Sequence, residues 1–240
     1  MSVVETVKIY DFDVKCYNGV EHAANDIFAH HLNSSSIGVA INPEKIVSSM
    51  ENPSTYQALE IANLRYLDGI GTVKLAEKKL GSSISRVPGC ELWEALMKKA
   101  GEEQTPVYVL GATDSVLKRT VEKLQQEYRV NVVGSHDGYF DDEEVMINSI
   151  LSVNPRIVTV ALGSPRQELF MKRCKEMGAD FFMMGVGGTY NVYTGAVARA
   201  PKMWCDMGLE WLYRLLKEPK RIFRQLKLVN FIYMSIMRRI

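Results

Sequence analysis

The chain has 240 residues, of which 47% are hydrophobic and 24% charged, with a formal net charge of +1. That size and composition fit one large globular domain, alone or with an appendage. The balanced charge excludes a nucleic-acid bias of the whole chain, and no apolar run reaches the roughly 18 residues needed to cross a bilayer.

Residues 7–14 alternate and are rich in β-formers, which predicts a strand. Asp11-Phe12-Asp13 inside it has the spacing of a sugar-nucleotide metal motif. Acids at i and i+2 on an early strand more often make a solvated face, so no metal is expected there. Residues 21–31 predict a helix. His22, His30 and His31 lack acid or cysteine partners at metal-ligand spacing and are expected at the surface. Residues 37–41 form the next predicted strand, after which Asn42 can cap a helix that Pro43 begins. Helical sequence continues to about Asn63, broken near Pro53. A short strand, 64–67, ends at Asp68-Gly69, and residues 72–80 read as a helix. The turn Ser85-Arg86-Val87-Pro88-Gly89 leads into an amphipathic helix with Leu92, Trp93, Leu96 and Met97 facing inward. A strand at 106–110 meets Gly111-Ala112-Thr113-Asp114 and a charged helix to Tyr128. A strand at 130–133 then runs into the loop containing Asp137-Gly138-Tyr139-Phe140, and residues 141–151 predict a helix.

The most informative stretch is 157–201. An apolar β-branched run, 157–162, is followed by Gly163-Ser164-Pro165-Arg166-Gln167-Glu168. Ser164 can serve as N-cap, Pro165 fits the first helical position and Gln167 completes a capping-box spacing. A helix to about Met177 and a strand at 181–186 follow, and that strand ends in Gly187-Gly188-Thr189-Tyr190. Two strand ends thus deliver two glycine loops to one sheet edge. In open α/β sheets that edge binds ligands, and a helix N-terminus there favours an anion such as a diphosphate. The alternation of strands and helices from 37 to 186 predicts an α/β fold with a mainly parallel sheet and helices on both faces.

Asp68, at a strand end beside a glycine, is placed as a general base, and equally as a turn former. Arg86 suits phosphate or carboxylate, or a structural ion pair. Cys16, Cys90, Cys174 and Cys205 form no Cys-x-x-Cys pair and read as reduced thiols of a cytosolic protein. The first fifteen residues lack the basic-then-apolar layout of a signal peptide. From Lys202 onward nine basic side chains face three acidic ones. Arg214, Lys217, Arg221 and Arg224 fall along one helical face opposite Leu209, Leu212, Leu215, Leu216 and Phe223, with Pro219 as a kink. Such a segment can lie in a membrane interface against anionic headgroups, or pack on the domain or on another subunit. A division into residues 1–200 and a basic appendage, 201–240, follows.

Taken together, Asn42-Pro43-Glu44-Lys45, Asp68-Gly69, the 85–89 turn, Asp137-Gly138-Tyr139-Phe140, the 163–168 loop, residues 185–190 and Gly208-Leu209-Glu210-Trp211-Leu212-Tyr213-Arg214 resemble the WecG/TagA/CpsF family of bacterial glycosyltransferases. The resemblance runs from about residue 7 to 228. It implies a Rossmann-like fold distinct from the two common glycosyltransferase folds (the GT-E type). It also implies inverting transfer of an N-acetylmannosamine-type sugar from UDP to a polyprenyl-diphosphate-linked GlcNAc, and a C-terminal appendage on the cytoplasmic membrane face.

Carried over by position, Asp68 becomes the base, with Gln167 and Arg86 as catalytic companions. Asn42, Gly111, Tyr139, Gly163, Ser164, Gly187, Gly188, Tyr190 and Asn191 become the nucleotide-sugar site, and Arg214, Arg221 and Arg224 contact acceptor diphosphate or headgroups. No cofactor or metal is implied, nucleic acid is not a partner, and a homo-oligomer stays open. Two positions depart from the pattern: Ala40 stands where some relatives carry Thr, and Asn191 where Asp is common. Residues 132–135 and 187–195 favour the branch that uses UDP-N-acetylmannosaminuronic acid (UDP-ManNAcA) and undecaprenyl-diphosphate-GlcNAc in enterobacterial common antigen synthesis. A dinucleotide-dependent oxidoreductase is disfavoured, because no Gly-x-Gly-x-x-Gly follows the first strand. Within the family the alternative is an N-acetylmannosaminyltransferase of teichoic-acid or capsule type using UDP-N-acetylmannosamine, and a non-catalytic membrane adaptor is a remote one.

Overall fold

In the computed structural model, which describes residues 4–201, 203–204, 210–217, 222–237 and 240, strands β1 (Glu5–Ile9) and β2 (Phe12–Cys16) make an antiparallel hairpin. The single strand expected over 7–14 is therefore folded back on itself. Tyr10 turns the chain with a φ of 54°, without the Asn-Gly pair that marks such turns in sequence. Asp11 falls in that turn and Asp13 on β2, so the two acids do not share a strand.

The remaining strands are β3 (Ile37–Ile41), β4 (Leu64–Leu67), β5 (Val107–Gly111), β6 (Val132–His136), β7 (Ile157–Ala161) and β8 (Phe182–Gly185). All eight form one sheet in the order β1-β2-β4-β3-β8-β7-β5-β6. Every pairing except β1 with β2 is parallel. From β3 the chain steps outward to β4. From β5 it steps outward to β6, then returns through β7 to β8, which pairs with β3. The seam between β3 and β8 joins the two halves, the kind of place where open α/β sheets bind ligands.

The helices are α1 (Val20–His30), α2 (Pro43–Glu51), α3 (Pro53–Glu60), α4 (Ile70–Leu80), α5 (Gly89–Glu102), α6 (Asp114–Tyr128), α7 (Glu143–Ser152), α8 (Arg166–Glu176) and α9 (Thr189–Tyr193), with α10 (Glu210–Lys217) and α11 (Ile222–Ile236) near the C-terminus. Local chemistry sets several boundaries. Asn42 and Asn52 accept backbone N–H groups of the first turns of α2 and α3, each of which has proline at its start. Asp142 does the same for α7. Gly81 ends α4 in the left-handed conformation.

Alternation along the strands fills two cores. Val39, Ile41, Leu110, Val158, Val160 and Met183 face one layer, packed by α2, α3, α4, α7 and α8. Tyr66, Val109, Ile157, Phe182 and Met184 face the other, packed by α1, α5, α6 and Tyr190 of α9. Helices thus cover both faces, as the alternating pattern predicts. Phe231 of α11 joins the first core, Lys227 reaches Ser48 and Glu51 of α2, and α11 packs on α2 and α4.

His31 corrects its expected surface placement. Lys15 Nζ and Ser36 Oγ lie 3.3 and 2.9 Å from its two ring nitrogens. Lys15 and Tyr17 both donate to Asp26 alongside it.

Candidate functional site

The parallel strands end on one edge, and several of the sequence-predicted residues lie there. Ile41 is opposite Leu67 in the β3–β4 ladder, so Asn42 and Asp68 leave the sheet side by side. The N–H groups of Asp68 and Gly69 both donate to the Ile41 carbonyl, at 3.0 and 3.4 Å. Gly69 packs on Pro43 and Asn42 with no room for a side chain. The Val87 N–H donates to the Leu67 carbonyl at 2.8 Å, which brings the Ser85-Arg86 segment to the same strand end. Asp68 and Arg86 are both half-buried.

Asp68 also meets the start of α5. A Cβ on Gly89 would stand 3.9 Å from Asp68 Oδ2 and 3.3 Å from the Tyr66 hydroxyl. Pro88, the N-cap of α5, gives no side-chain cap, so the positive end of that helix is directed at a carboxylate, a favourable pairing. Tyr66 is fully buried, and its hydroxyl has no hydrogen-bond partner among the described residues. Burial, then the neighbouring Asp68, Cys90 and Glu168, push its ionisation well up. Ala40 pairs with Tyr66 in the ladder.

Across the seam, the β7 and β8 ends deliver the two glycine loops. Gly163 and Gly187 both have positive φ, 78° and 52°, which glycine adopts at no steric cost. The expected capping box after β7 is not formed: α8 starts at Arg166 with Pro165 as its N-cap and no side-chain cap hydrogen bond. Gln167 is buried instead. Its carboxamide oxygen accepts from the Gly187 N–H at 3.0 Å, and its Nε2 donates to Glu168 Oε1 at 3.1 Å. It therefore ties one glycine loop to the other.

Sequence reasoning missed Glu168 and Lys45. Glu168 is fully buried in the first turn of α8, with Lys45 Nζ 3.0 Å from Oε1. Burial pushes this carboxyl up, but Lys45 and Gln167 outweigh it and hold it below the ordinary range. The α8 N-terminus thus already carries an internal carboxylate, neutralised by Lys45. The signal was present in Glu168 itself, three residues after a proline-marked turn, but its partner lies 123 residues away.

Two further expectations are corrected. Gly111 is buried at the end of β5, where a Cβ would collide with the Ala161 backbone; it lets β5 and β7 run together. Tyr190 is fully buried, with its hydroxyl on Thr159, so its ring belongs to the core. The other residues remain at the edge. Tyr139 is 75% exposed in the loop after β6, which is held by the Gly138 N–H on the Ala112 carbonyl and by Arg166 on the Gly138 carbonyl. Ser164 and Gly188 are exposed, and Asn191 is half-buried. Arg221 and the side chains of Arg214 and Arg224 lie outside the described residues. Among the described residues no group of His, Cys, Asp and Glu could hold a metal, and no helix is long and apolar enough to cross a membrane.

The arrangement offers a carboxylate at a helix N-terminus, arginine and asparagine beside it, and two glycine loops on the far side of a seam. That chemistry suits an anionic, sugar-bearing nucleotide next to a base. The family model described as the glycosyl transferase WecG/TagA/CpsF family matches residues 7–240. With nearly the whole chain covered and the strand ends converging as described, the protein belongs to the WecG/TagA/CpsF family of glycosyltransferases.

Proposed function

We propose that the chain is an inverting transferase that moves N-acetyl-D-mannosaminuronic acid from UDP to undecaprenyl-diphosphate-linked GlcNAc. The observation that carries this reading is the placement of Asp68 beside Asn42 on one side of the β3–β8 seam, with the Gly163 and Gly187 loops on the other. A nucleotide sugar lying across the seam has its diphosphate at the glycine loops and its anomeric carbon toward Asp68. The Asp68 carboxylate takes the proton from the acceptor hydroxyl. The hydroxyl oxygen attacks the anomeric carbon as the bond to the UDP oxygen breaks. The leaving diphosphate is met by backbone N–H groups and a cation. Arg86, beside the β4 end, is the cation assigned to the donor carboxylate, and Tyr139 is the ring offered to the base.

Arg214, Arg221 and Arg224 are assigned to the acceptor diphosphate or to lipid headgroups. Val229, Ile232, Tyr233, Ile236 and Met237 of the C-terminal segment are exposed at the spacing of one helical stripe. Beside a basic segment, that stripe supports peripheral attachment to the cytoplasmic face of the membrane.

The test is UDP release with UDP-ManNAcA and with UDP-N-acetylmannosamine, each with a polyprenyl-diphosphate-GlcNAc analogue. Turnover with the uronic acid donor alone is expected. Turnover with the uncharged donor alone moves the protein to the teichoic-acid or capsule type of reaction, and turnover with neither overturns the reading.

A further inference from the structure

Resting on that reading, we propose that Lys45 and Glu168 are positioning residues that hold the base-bearing half of the cleft in register with the donor-binding half. Lys45 belongs to the β3 side and Glu168 to the β7–β8 side, and their ion pair of 3.0 Å crosses the seam. Each end is wired to a loop at the cleft. On one end, the Lys45 N–H donates to Asn42 Oδ1 at 2.9 Å, and Asn42 with Pro43 packs directly on Gly69, next to Asp68. On the other end, Gln167 Nε2 shares Glu168 Oε1 with Lys45, and Gln167 Oε1 holds the Gly187 N–H. One buried oxygen therefore connects the strand ends of β3, β7 and β8.

Stability alone does not account for this pair. Glu168 is fully buried, and its second oxygen, Oε2, is buried with no hydrogen-bond partner among the described residues. A buried ion pair is often no more stable than apolar groups of the same volume, and fixing register is its best-attested use. An orphaned buried polar atom is rare enough to call for a reason. Here the charges bridge two sheet halves whose β3–β8 ladder pairs Ile37 with Met183 and Gly38 with Met184, toward the opposite end of β3.

The experiment compares wild type with Lys45→Met, Glu168→Gln, the double variant and Glu168→Asp. It measures kcat for sugar transfer, KM for the donor, calorimetric Kd for UDP, and Tm. Glu168→Asp keeps the charge and shortens the reach by one methylene. The expected result is a fall in kcat of about tenfold or more, since misplacement by about 1 Å can cost about 10²-fold. UDP affinity is expected to stay within about threefold, because each half keeps its own loop. The double variant should be no slower than the slower single one, since the two residues act through each other.

Unchanged kcat in folded Glu168→Asp or in the folded double variant overturns the proposal. So does a parallel loss of kcat and UDP affinity, or a kcat that follows Tm alone. If wild type transfers no sugar, the parent reading fails and the register role falls with it. An active wild type with unaffected variants removes the register role alone.

Discussion

Gly69 lies so close to Pro43 that a Cβ on it would stand 2.6 Å from the proline Cδ and 3.0 Å from Asn42 Cβ. The loop bearing Asp68 and the loop bearing Asn42 are thus one packed unit. Gly69→Ala has an ordinary φ of −79°, so only sterics oppose it. Relief requires a shift of a ring or of backbone, which is costly at about 1–3 kcal/mol. Urea unfolding should show that loss, and sugar transfer should fall with it, because the methyl group pushes Asp68 and Asn42 apart.

Asp68→Ala should lower transfer by about 10²-fold or more, the scale for losing a general base, while UDP binding by calorimetry stays near wild type. Near-normal turnover in this variant would remove Asp68 from the role of base.

Tyr139 gives a separate reading of the donor side. Because its side chain is largely exposed, Tyr139→Ala should leave Tm unchanged. If the ring stacks on the nucleobase, UDP binding should weaken by about 0.5–1.5 kcal/mol, the usual worth of an aromatic pair. An unaltered Kd excludes the contact.

The cluster around His31 predicts how stability depends on pH. Burial, reinforced by the Lys15 charge, holds the imidazole below its ordinary value of 6.5, against the pull of Asp26. At neutral pH the ring is neutral. Lys15 donates to Nε2, and this assigns the proton to Nδ1, which donates to Ser36. A depressed histidine means that the unfolded chain binds a proton first. Stability is therefore complete above 6.5 and falls as pH drops through the lower folded-state value. Asp26 adds to the loss at more acidic pH. Burial raises it, but hydrogen bonds from Lys15 and Tyr17 outweigh this and leave it below the ordinary range. Denaturant titrations from pH 7.5 to 5 should show the decline, and His31→Gln should flatten its upper part.

The basic C-terminal segment predicts a membrane effect. Each arginine near an anionic surface contributes about 1 kcal/mol. Replacing Arg214, Arg221 and Arg224 together by alanine should weaken binding to phosphatidylglycerol vesicles by about 10²-fold, with little change on neutral vesicles. Equal binding of both proteins to anionic vesicles contradicts the peripheral reading.

The parallel sheet was legible because its strands are short, β-branched runs separated by capped helices. Asn42-Pro43 and Asn52-Pro53 announce their helices in the local chain. The strand ends carrying Asp68, Gly163 and Gly187 were placed on one edge by the same rhythm. Three features left no mark in the local sequence. The Tyr10 turn uses a backbone conformation that tyrosine rarely takes and lacks a glycine to mark it. Gln167 and Tyr190 stand in first helical turns beside glycine loops that look ligand-facing, and only three-dimensional packing turns them inward. The Lys45–Glu168 pair joins distant segments, and no periodicity connects them. The boundaries of β6 also drifted, from 130–133 to Val132–His136, because its glycine and serine dilute the apolar signal.

The edge where the parallel strands end is stitched largely by main-chain atoms. Asp68 and Gly69 donate to Ile41, Gly138 to Ala112, Ala112 to Ala161 and Val186 to Val160. Amide stitches do not read side-chain identity. Residues such as Arg86, Tyr139 and Asn191 can therefore be exchanged while the scaffold beneath keeps its shape. If those residues read the donor, as proposed, preference for one sugar over another is free to drift during evolution, or to be transplanted by grafting short loops, without rebuilding the protein's interior.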